Sequence, residues 1–330
     1  MFKISGWGKA IPSNTVTNDD LSKYLDTNDE WITSRTGIKE RRIIDESKGE
    51  TALSLAIESG ENALNKSGIS ADKINCVIVA TASATQPIPS MASIVSNKLG
   101  IIAPAFDLNA ACSGFVYALS VAAGFFELKI FENILIVGVD TLSAVVDKND
   151  RSTAILFGDG AGAVVLSADE DPNAGLISCD LGGDASQYEI LEVKGHRKPQ
   201  SQQEVKEEIE HLHPFLVMNG QEVFKVAVRA VEKSIAKALD KANTAGKDID
   251  HLLLHQANVR IIDAICDRLD VDREKAHVNL DKYGNTSAGS IPILLAEVAD
   301  NGYFKDGDLL TFCGFGAGMT WGTCILRWKN

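Results

Sequence analysis

Two kinds of apolar pattern alternate along this chain. Short continuous runs rich in β-branched residues, INCVIVA at 74–80 and NILIVGVD at 133–140, predict strands buried on both faces, as in a sheet covered by helices. Helical spacings lie between them. Leu53, Leu55, Ala56, Ala63 and Leu64 mark the apolar side of a helix over 50–67, and a second helix is predicted over 90–99. Residues 104–119 (PAFDLNAACSGFVYAL) start as a short strand at Ala105, Phe106 and Leu108. They pass through Ala110, Ala111 and Cys112, then open an apolar helix with Phe115, Ala118, Leu119 and Ala122 at helical spacing. From Phe157, FGDGAGAVVLS predicts a glycine turn into a further strand. Val223, Phe224, Ala227, Val231, Ile235 and Leu239 form one face of a long later helix.

The order of these elements repeats. ENALNKSGISADKINCVIV at 61–79 aligns with AKALDKANTAGKDIDHLLL at 236–254, placing Ala63 on Ala238, Leu64 on Leu239, Lys66 on Lys241 and Ile74 on Ile249. The same shift puts Val77, Ile78 and Val79 on Leu252, Leu253 and Leu254, and NILIVG at 133 on DLLTFC at 308. A shorter shift puts FGDGAG at 157 on FGAGMT at 315. Internal repetition decides fold more strongly than local propensity. It predicts an α/β fold of two duplicated halves, 1–172 and 173–330, with two sheets packed around shared helices.

Charge and cysteine usage narrow the setting. A net charge of −13 makes the protein a poor nucleic-acid binder, and it would repel an acidic protein unless a basic patch overrides the average. Lys225, Arg229, Lys233, Lys237 and Lys241 recur every four residues on the long helix with no acid interleaved on the stripe, and Arg260 extends it. Such a stripe suits docking of an anionic partner, although a merely solvated face has the same pattern. No run of 18 apolar residues predicts a membrane span, and the N-terminus lacks the apolar core of a secretion signal. Six scattered cysteines without a CxxC pair argue against structural zinc, and all these features together predict a reduced, cytoplasmic protein. The polar stretch 195–213 reads as a surface excursion or partly mobile flap, and its His211 and His213 have no companion ligands for a metal.

Candidate chemistry centres on Cys112. A free thiol has a pKa near 8.5, so about 3% is thiolate at neutral pH. A helix N-terminus favours a nearby anion by about 0.3–2 kcal/mol, which suits a nucleophile. The stretch alone also fits a cysteine packed in a strand-helix corner. The repeat adds partners. The counterpart of the strand end at Ala80 is His255, and the counterpart of the Cys112 turn is KYGNTSAGSIPILL at 282–295, which carries Asn285. Ligands of open α/β sheets sit beyond the carboxyl ends of strands, so a pseudo-twofold would bring Cys112, His255 and Asn285 to one cavity. Separately, His255 reads as a core histidine and Asn285 as a turn residue. Trp31 and Arg35, one helical turn apart, can stack on a flat ring such as adenine, or belong to an ordinary amphipathic helix.

Five motifs in one order make the combination specific: AACSGF at 110, DRSTAILFGDGAGA at 150, LLHQANVRI at 253, YGNTSAGSIP at 283 and GFGAGMTWG at 314. With DTNDEWITSRTGI near the start, they resemble β-ketoacyl-acyl carrier protein synthase III over nearly the whole chain. That family initiates bacterial fatty-acid synthesis. The resemblance implies a thiolase-like fold with a five-layered αβαβα core in a homodimer. It implies Cys112 as nucleophile, with His255 and Asn285 completing a catalytic triad. Trp31, Arg35, Arg151 and Asn258 would bind coenzyme A, and Lys225 and Arg260 would dock acyl carrier protein. Ile88 would reach an acyl pocket across the dimer interface. The oxyanion hole would be the N–H groups of Cys112 and Ala317, where GFGAGM departs from the usual GFGGG. No metal or cofactor is implied, since coenzyme A enters with the acyl-CoA substrate. The implied reaction is decarboxylative condensation of a short acyl-CoA, acetyl-CoA foremost, with malonyl-acyl carrier protein. A condensing or acyl-transferring homologue of secondary metabolism would share the same three residues. FGDGAG and FGAGM do not open a helix after a first strand, which argues against a dinucleotide-binding dehydrogenase.

Overall fold

Two sheets of matching strand order carry the chain, in a computed structural model that describes residues 1–171, 174–193 and 215–329. The first contains β1 (Phe2–Ala10), β4 (Cys76–Ala80), β5 (Ala105–Leu108), β6 (Asn133–Thr141) and β7 (Asp159–Ala168), ordered β1-β7-β6-β4-β5. The second contains β8 (Gly175–Gly183), β11 (His251–Leu254), β12 (Leu309–Gly316) and β13 (Thr320–Arg327), ordered β8-β13-β12-β11. Directions match as well: β4 is parallel to β6 as β11 is to β12, and the remaining shared pairs are antiparallel. Two ribbons flank these sheets, β2 (Asn14–Thr17) with β3 (Glu40–Ile43) and β9 (Leu191–Val193) with β10 (Leu216–Met218).

Register refines the repeat read from the sequence. Ala80 pairs with Gly138, and Leu254 pairs with Cys313. A Cβ on Gly138 would meet the Ala288 carbonyl and one on Gly314 the Cys112 carbonyl, so Gly314 matches Gly138, and His255, one residue past β11, matches Ala80. Helices Gly114–Glu127 and Ser290–Asp300 follow equivalent 3-10 turns, Ala111–Ser113 and Ser287–Gly289. Among the described residues strand β5 has no full counterpart, and at the matching edge the second sheet has a bridge between Leu252 and Ala276.

Side chains sort into five layers. Phe115, Leu119, Ile291 and Leu294 of the two central helices pack with Ile78 and Ile136 of the first sheet and Leu310 and Phe312 of the second. The opposite face of the first sheet, with Val77, Val79, Leu135 and Val137, is covered by Ala52–Ser67 and Met91–Lys98. Helices Gly220–Lys241 and Val259–Leu269 cover Leu252 and Leu254 of the second. Residues alternating along β4 and β6 thus enter two different cores. That is why these strands read as unbroken apolar runs. Each such side chain contributes about 1.5–3 kcal/mol on burial. The arrangement is the thiolase-like αβαβα fold.

The basic stripe differs from expectation. Lys225 pairs with Glu222 at 2.8 Å, and Lys237 and Lys241 reach Asp180 of β8 at 3.7 and 3.6 Å. Acids from the helix's own first turn and from the neighbouring sheet answer it, although Lys237 and Lys241 stay exposed. Residues 195–213, with His211 and His213, and the proposed boundary at 172/173 lie outside the described residues. No helix among the described residues is long and apolar enough to cross a membrane.

Candidate active site

Each half's helix-opening turn packs against the central strand of the other half, and glycines make the approach possible. A Cβ on Gly316 of β12 would lie 2.6 Å from the Cys112 nitrogen, and one on Gly138 of β6 would overlap the Ala288 carbonyl. The turns share a left-handed first residue, Ala111 (φ 47°) and Ser287 (φ 51°). Ser113 Oγ ties the first turn to Ala110 O (2.7 Å) and to Thr320 Oγ1 (2.9 Å). Asp140, buried at the end of β6, accepts from Ala82 N (2.8 Å), Ser83 Oγ (2.8 Å) and Ala288 N (3.1 Å). Burial pushes its carboxyl up while these donors oppose the shift.

Cys112 is buried at this junction, with Ser287 Oγ donating to its sulfur at 3.2 Å. Burial pushes the thiol up to about 12, outweighing the lowering by Ser287. A helix N-terminus is worth on the order of one pKa unit for a nearby anion, so it does not offset this burial. Burial therefore keeps Cys112 as a neutral thiol.

His255 is buried just past β11. Its backbone N–H donates to Cys313 O (2.8 Å), and its ring Nδ1 lies 2.7 Å from Ser290 Oγ. Burial holds the imidazole down to about 4, so the ring is neutral at ordinary pH. Asn285 is bracketed by backbone bonds to Leu156 O (2.8 Å) and from Gly158 N (3.0 Å). Its Oδ1 accepts from Ser287 N at 2.9 Å, which leaves the NH2 for the cavity that Asn285 lines. Arg41, 1% exposed, braces the bracketing segment by donating to Ile155 O (2.7 Å) and Asn18 Oδ1 (2.9 Å). Among the described residues no carboxylate hydrogen-bonds it, and burial pulls its guanidinium down to about 10.

These groups face one cavity of about 1480 Å³, lined among others by Cys112, His255, Asn285, Ser287, Asn258 and Ala317. Leu142, Leu156, Phe157, Leu191 and Leu216 add an apolar wall. The left-handed residue of the GFGAGM turn is Gly318 (φ 129°), so Ala317 sits there without strain. Asn258 caps Val259–Leu269 and donates to Arg35 O at 3.1 Å. Trp31, Arg35 and Arg151 lie outside the lining as a stack, with the guanidinium carbons 4.9 and 4.8 Å from the indole. Arg260 lies 5.8 Å over the ring of Phe224, a lining residue, and exposed Lys225 follows Phe224 in the chain. Ile88 is 83% exposed and does not line the cavity of its own chain, although Gln86 and Pro87 do. Among the described residues no group of three or more His, Cys, Asp or Glu could hold a metal ion.

Ser287 lines the cavity, and Ser290, Asp140 and Arg41 hold the residues around it; the sequence singles out none of the four. The repeat held a signal for Ser287, since it opens the turn that mirrors Cys112.

A buried thiol, imidazole and carboxamide on one cavity between mirrored sheets define a thiolase-like condensing enzyme. The family described as 3-Oxoacyl-[acyl-carrier-protein (ACP)] synthase III matches residues 106–185, and its C-terminal part matches 239–328. A relative from Natranaerobius thermophilus, named beta-ketoacyl-[acyl-carrier-protein] synthase III, is 47% identical over 331 residues and covers 99% of both chains. The solved 3-oxoacyl-[acyl-carrier-protein] synthase III from Aquifex aeolicus VF5 is 41% identical, with a TM-score of 0.90 over 99% of this chain and 100% of that one. The priming beta-ketosynthase of the R1128 polyketide pathway is 32% identical, with a TM-score of 0.91 over 100% of this chain and 97% of that one. The chain belongs to the beta-ketoacyl-[acyl-carrier-protein] synthase III family.

Proposed function

We propose that this protein condenses a short acyl-CoA, acetyl-CoA foremost, with malonyl-acyl carrier protein, giving 3-oxoacyl-acyl carrier protein, coenzyme A and carbon dioxide, and so initiates fatty acid synthesis. The observation that carries the reading is the convergence of Cys112, His255 and Asn285 on one cavity. Cys112 sulfur attacks the thioester carbon, and coenzyme A leaves with the thiol's proton. The N–H groups of Cys112 and Ala317 hold the tetrahedral oxyanion. Malonyl-acyl carrier protein then loses carbon dioxide, and its enolate attacks the acyl-cysteine. Cys112 leaves as thiolate and is reprotonated.

An enolate oxygen needs donors rather than a strong base. A neutral His255 N–H and the Asn285 NH2 fit that need, at about 3–4 kcal/mol for each such donor removed. The thioesters supply the driving chemistry, and no cofactor takes part. Identity of 47% to a synthase III against 32% to the polyketide priming enzyme favours this reading over a homologue of secondary metabolism.

The Trp31, Arg35 and Arg151 stack and Asn258 form the coenzyme A mouth, and Lys225 and Arg260 dock the acidic carrier protein. The chain works as a homodimer that covers the β5 edge, where Phe106 packs on Phe125 and Phe125 on Phe131, and where the preceding Ile102 is 98% exposed. Ile88 then reaches the partner's acyl pocket. The two halves divide at 172/173. Six free thiols support a cytoplasmic setting.

Intact-mass measurement after incubation with a panel of acyl-CoAs tests the proposal. One acyl group should add to the native enzyme, acetyl most readily, and none to Cys112→Ser. An adduct that persists in Cys112→Ser, or no adduct from any short acyl-CoA, would overturn it.

A further inference from the structure

Ser290 is the first residue of its helix and 1% exposed. Its Oγ lies 2.7 Å from His255 Nδ1, and the Gln256 N–H reaches the same oxygen at 3.4 Å. We propose that Ser290 fixes the tautomer of His255, donating to Nδ1 so that the ring presents Nε2–H to the cavity. Ser290 is thus a positioning residue that acts through His255. The inference rests on the role proposed for that imidazole.

The argument is an accounting of protons. The Ser290–His255 contact holds one hydrogen, supplied by either the hydroxyl or the ring. If Nδ1–H were the donor, the Ser290 hydroxyl would accept from both His255 and Gln256. Its own hydrogen would then have no acceptor among the hydrogen bonds of the described residues. A buried donor left unmade costs more than an ordinary hydrogen bond contributes. The hydroxyl therefore donates and Nδ1 accepts. Because the ring is held neutral by burial, its single proton sits on Nε2. The first half has no equivalent device, since Gly114 stands at the matching helix start.

The tautomer sorts the two half-reactions. A protonated Nε2 has no lone pair to accept the Cys112 proton, so His255 serves the enolate as a donor and is not the base for acylation. Ser287 Oγ, not the imidazole, is hydrogen-bonded to the sulfur, and the net transfer places the thiol's proton on the departing coenzyme A sulfur.

Nitrogen NMR of the full-length enzyme labelled with 15N-histidine, free of substrate, tests the assignment directly. The His255 signals are identified by their loss in His255→Asn. The expected spectrum has an unprotonated Nδ1 and a protonated Nε2, and a proton on Nδ1 would overturn the proposal. Ser290→Ala should slow malonyl-acyl carrier protein decarboxylation by about tenfold to a hundredfold, as removal of a partner that orients a histidine does. Acetyl transfer from acetyl-CoA to Cys112 should fall far less, and Ser290→Thr, which keeps the hydroxyl, should recover decarboxylation. Equal loss of both half-reactions in Ser290→Ala would contradict a role through the tautomer. Failure of the native enzyme to take an acetyl group would count against the proposed function instead, with the spectrum still deciding the tautomer.

Discussion

The two halves share a backbone and divide the chemistry. Both build a parallel strand pair, a left-handed turn residue and a central helix, yet only the first puts a thiol in its turn. The second puts Ala288 there, flanks it with Ser287 and Asn285, and places His255 one residue beyond the strand that matches β4. The connections differ as well. Between β6 and β7 lie residues 142–158, which lend the cavity Leu142, Val145, Leu156 and Phe157, whereas β12 turns into β13 within 317–319. Duplication thus supplied a symmetric frame. In the mechanism proposed here the first half carries the acyl acceptor Cys112, the second supplies His255 and Asn285 as donors, and both halves line the pocket.

Two glycines, one in each half and each packed against the other half's turn, sharpen this contrast. Gly138→Ala and Gly316→Ala should both destabilise, by about 1–3 kcal/mol each, since each forces a methyl into the opposite turn. Only Gly316→Ala pushes on the Cys112 N–H, so it should also slow acylation by about 10²–10³-fold, the cost of one oxyanion donor. Denaturant melts with single-turnover acylation on both variants check this. Equal acylation rates would mean that the halves do not differ at this contact.

A smaller effect separates the two halves in acid. His255 has a folded pKa of about 4 against an ordinary 6.5, so the unfolded chain binds more protons between those values. Its contribution is whole above the unfolded value and is lost as the pH falls towards the folded one, on the order of 1–3 kcal/mol in all. Cys112, raised by burial, stays neutral across that window and contributes nothing there. Urea midpoints should therefore fall more steeply with acid in the native enzyme than in His255→Asn. His277, also held down to about 4, keeps some acid sensitivity in both. Parallel midpoints would show that His255 is not buried neutral.

Much of this plan was legible in the sequence, because burial on two faces leaves an unbroken run such as β4 and because repetition located His255 and Asn285 beside Cys112. What escaped depends on contacts between distant segments. Arg41 sits in a charged run, KERR, that looks like surface, and only the fold shows it buried against Ile155 O. Ser290 resembles any helix-opening serine until the far half brings His255 to it. Asp180 answers Lys237 and Lys241 from another strand, which no spacing along the helix reveals. The thiol was read from its helix end alone, and the depth that governs it belongs to the assembled core.

The central claim is that His255 and Asn285 of the second half serve the enolate, while Cys112 of the first half carries the acyl group. Asn285→Ala tests it most directly when both half-reactions are timed on one preparation. The account predicts acetyl transfer to Cys112 close to the native rate and malonyl-acyl carrier protein decarboxylation slowed by about 10²–10³-fold. Native decarboxylation in that variant, or acylation lost to the same degree, would contradict it.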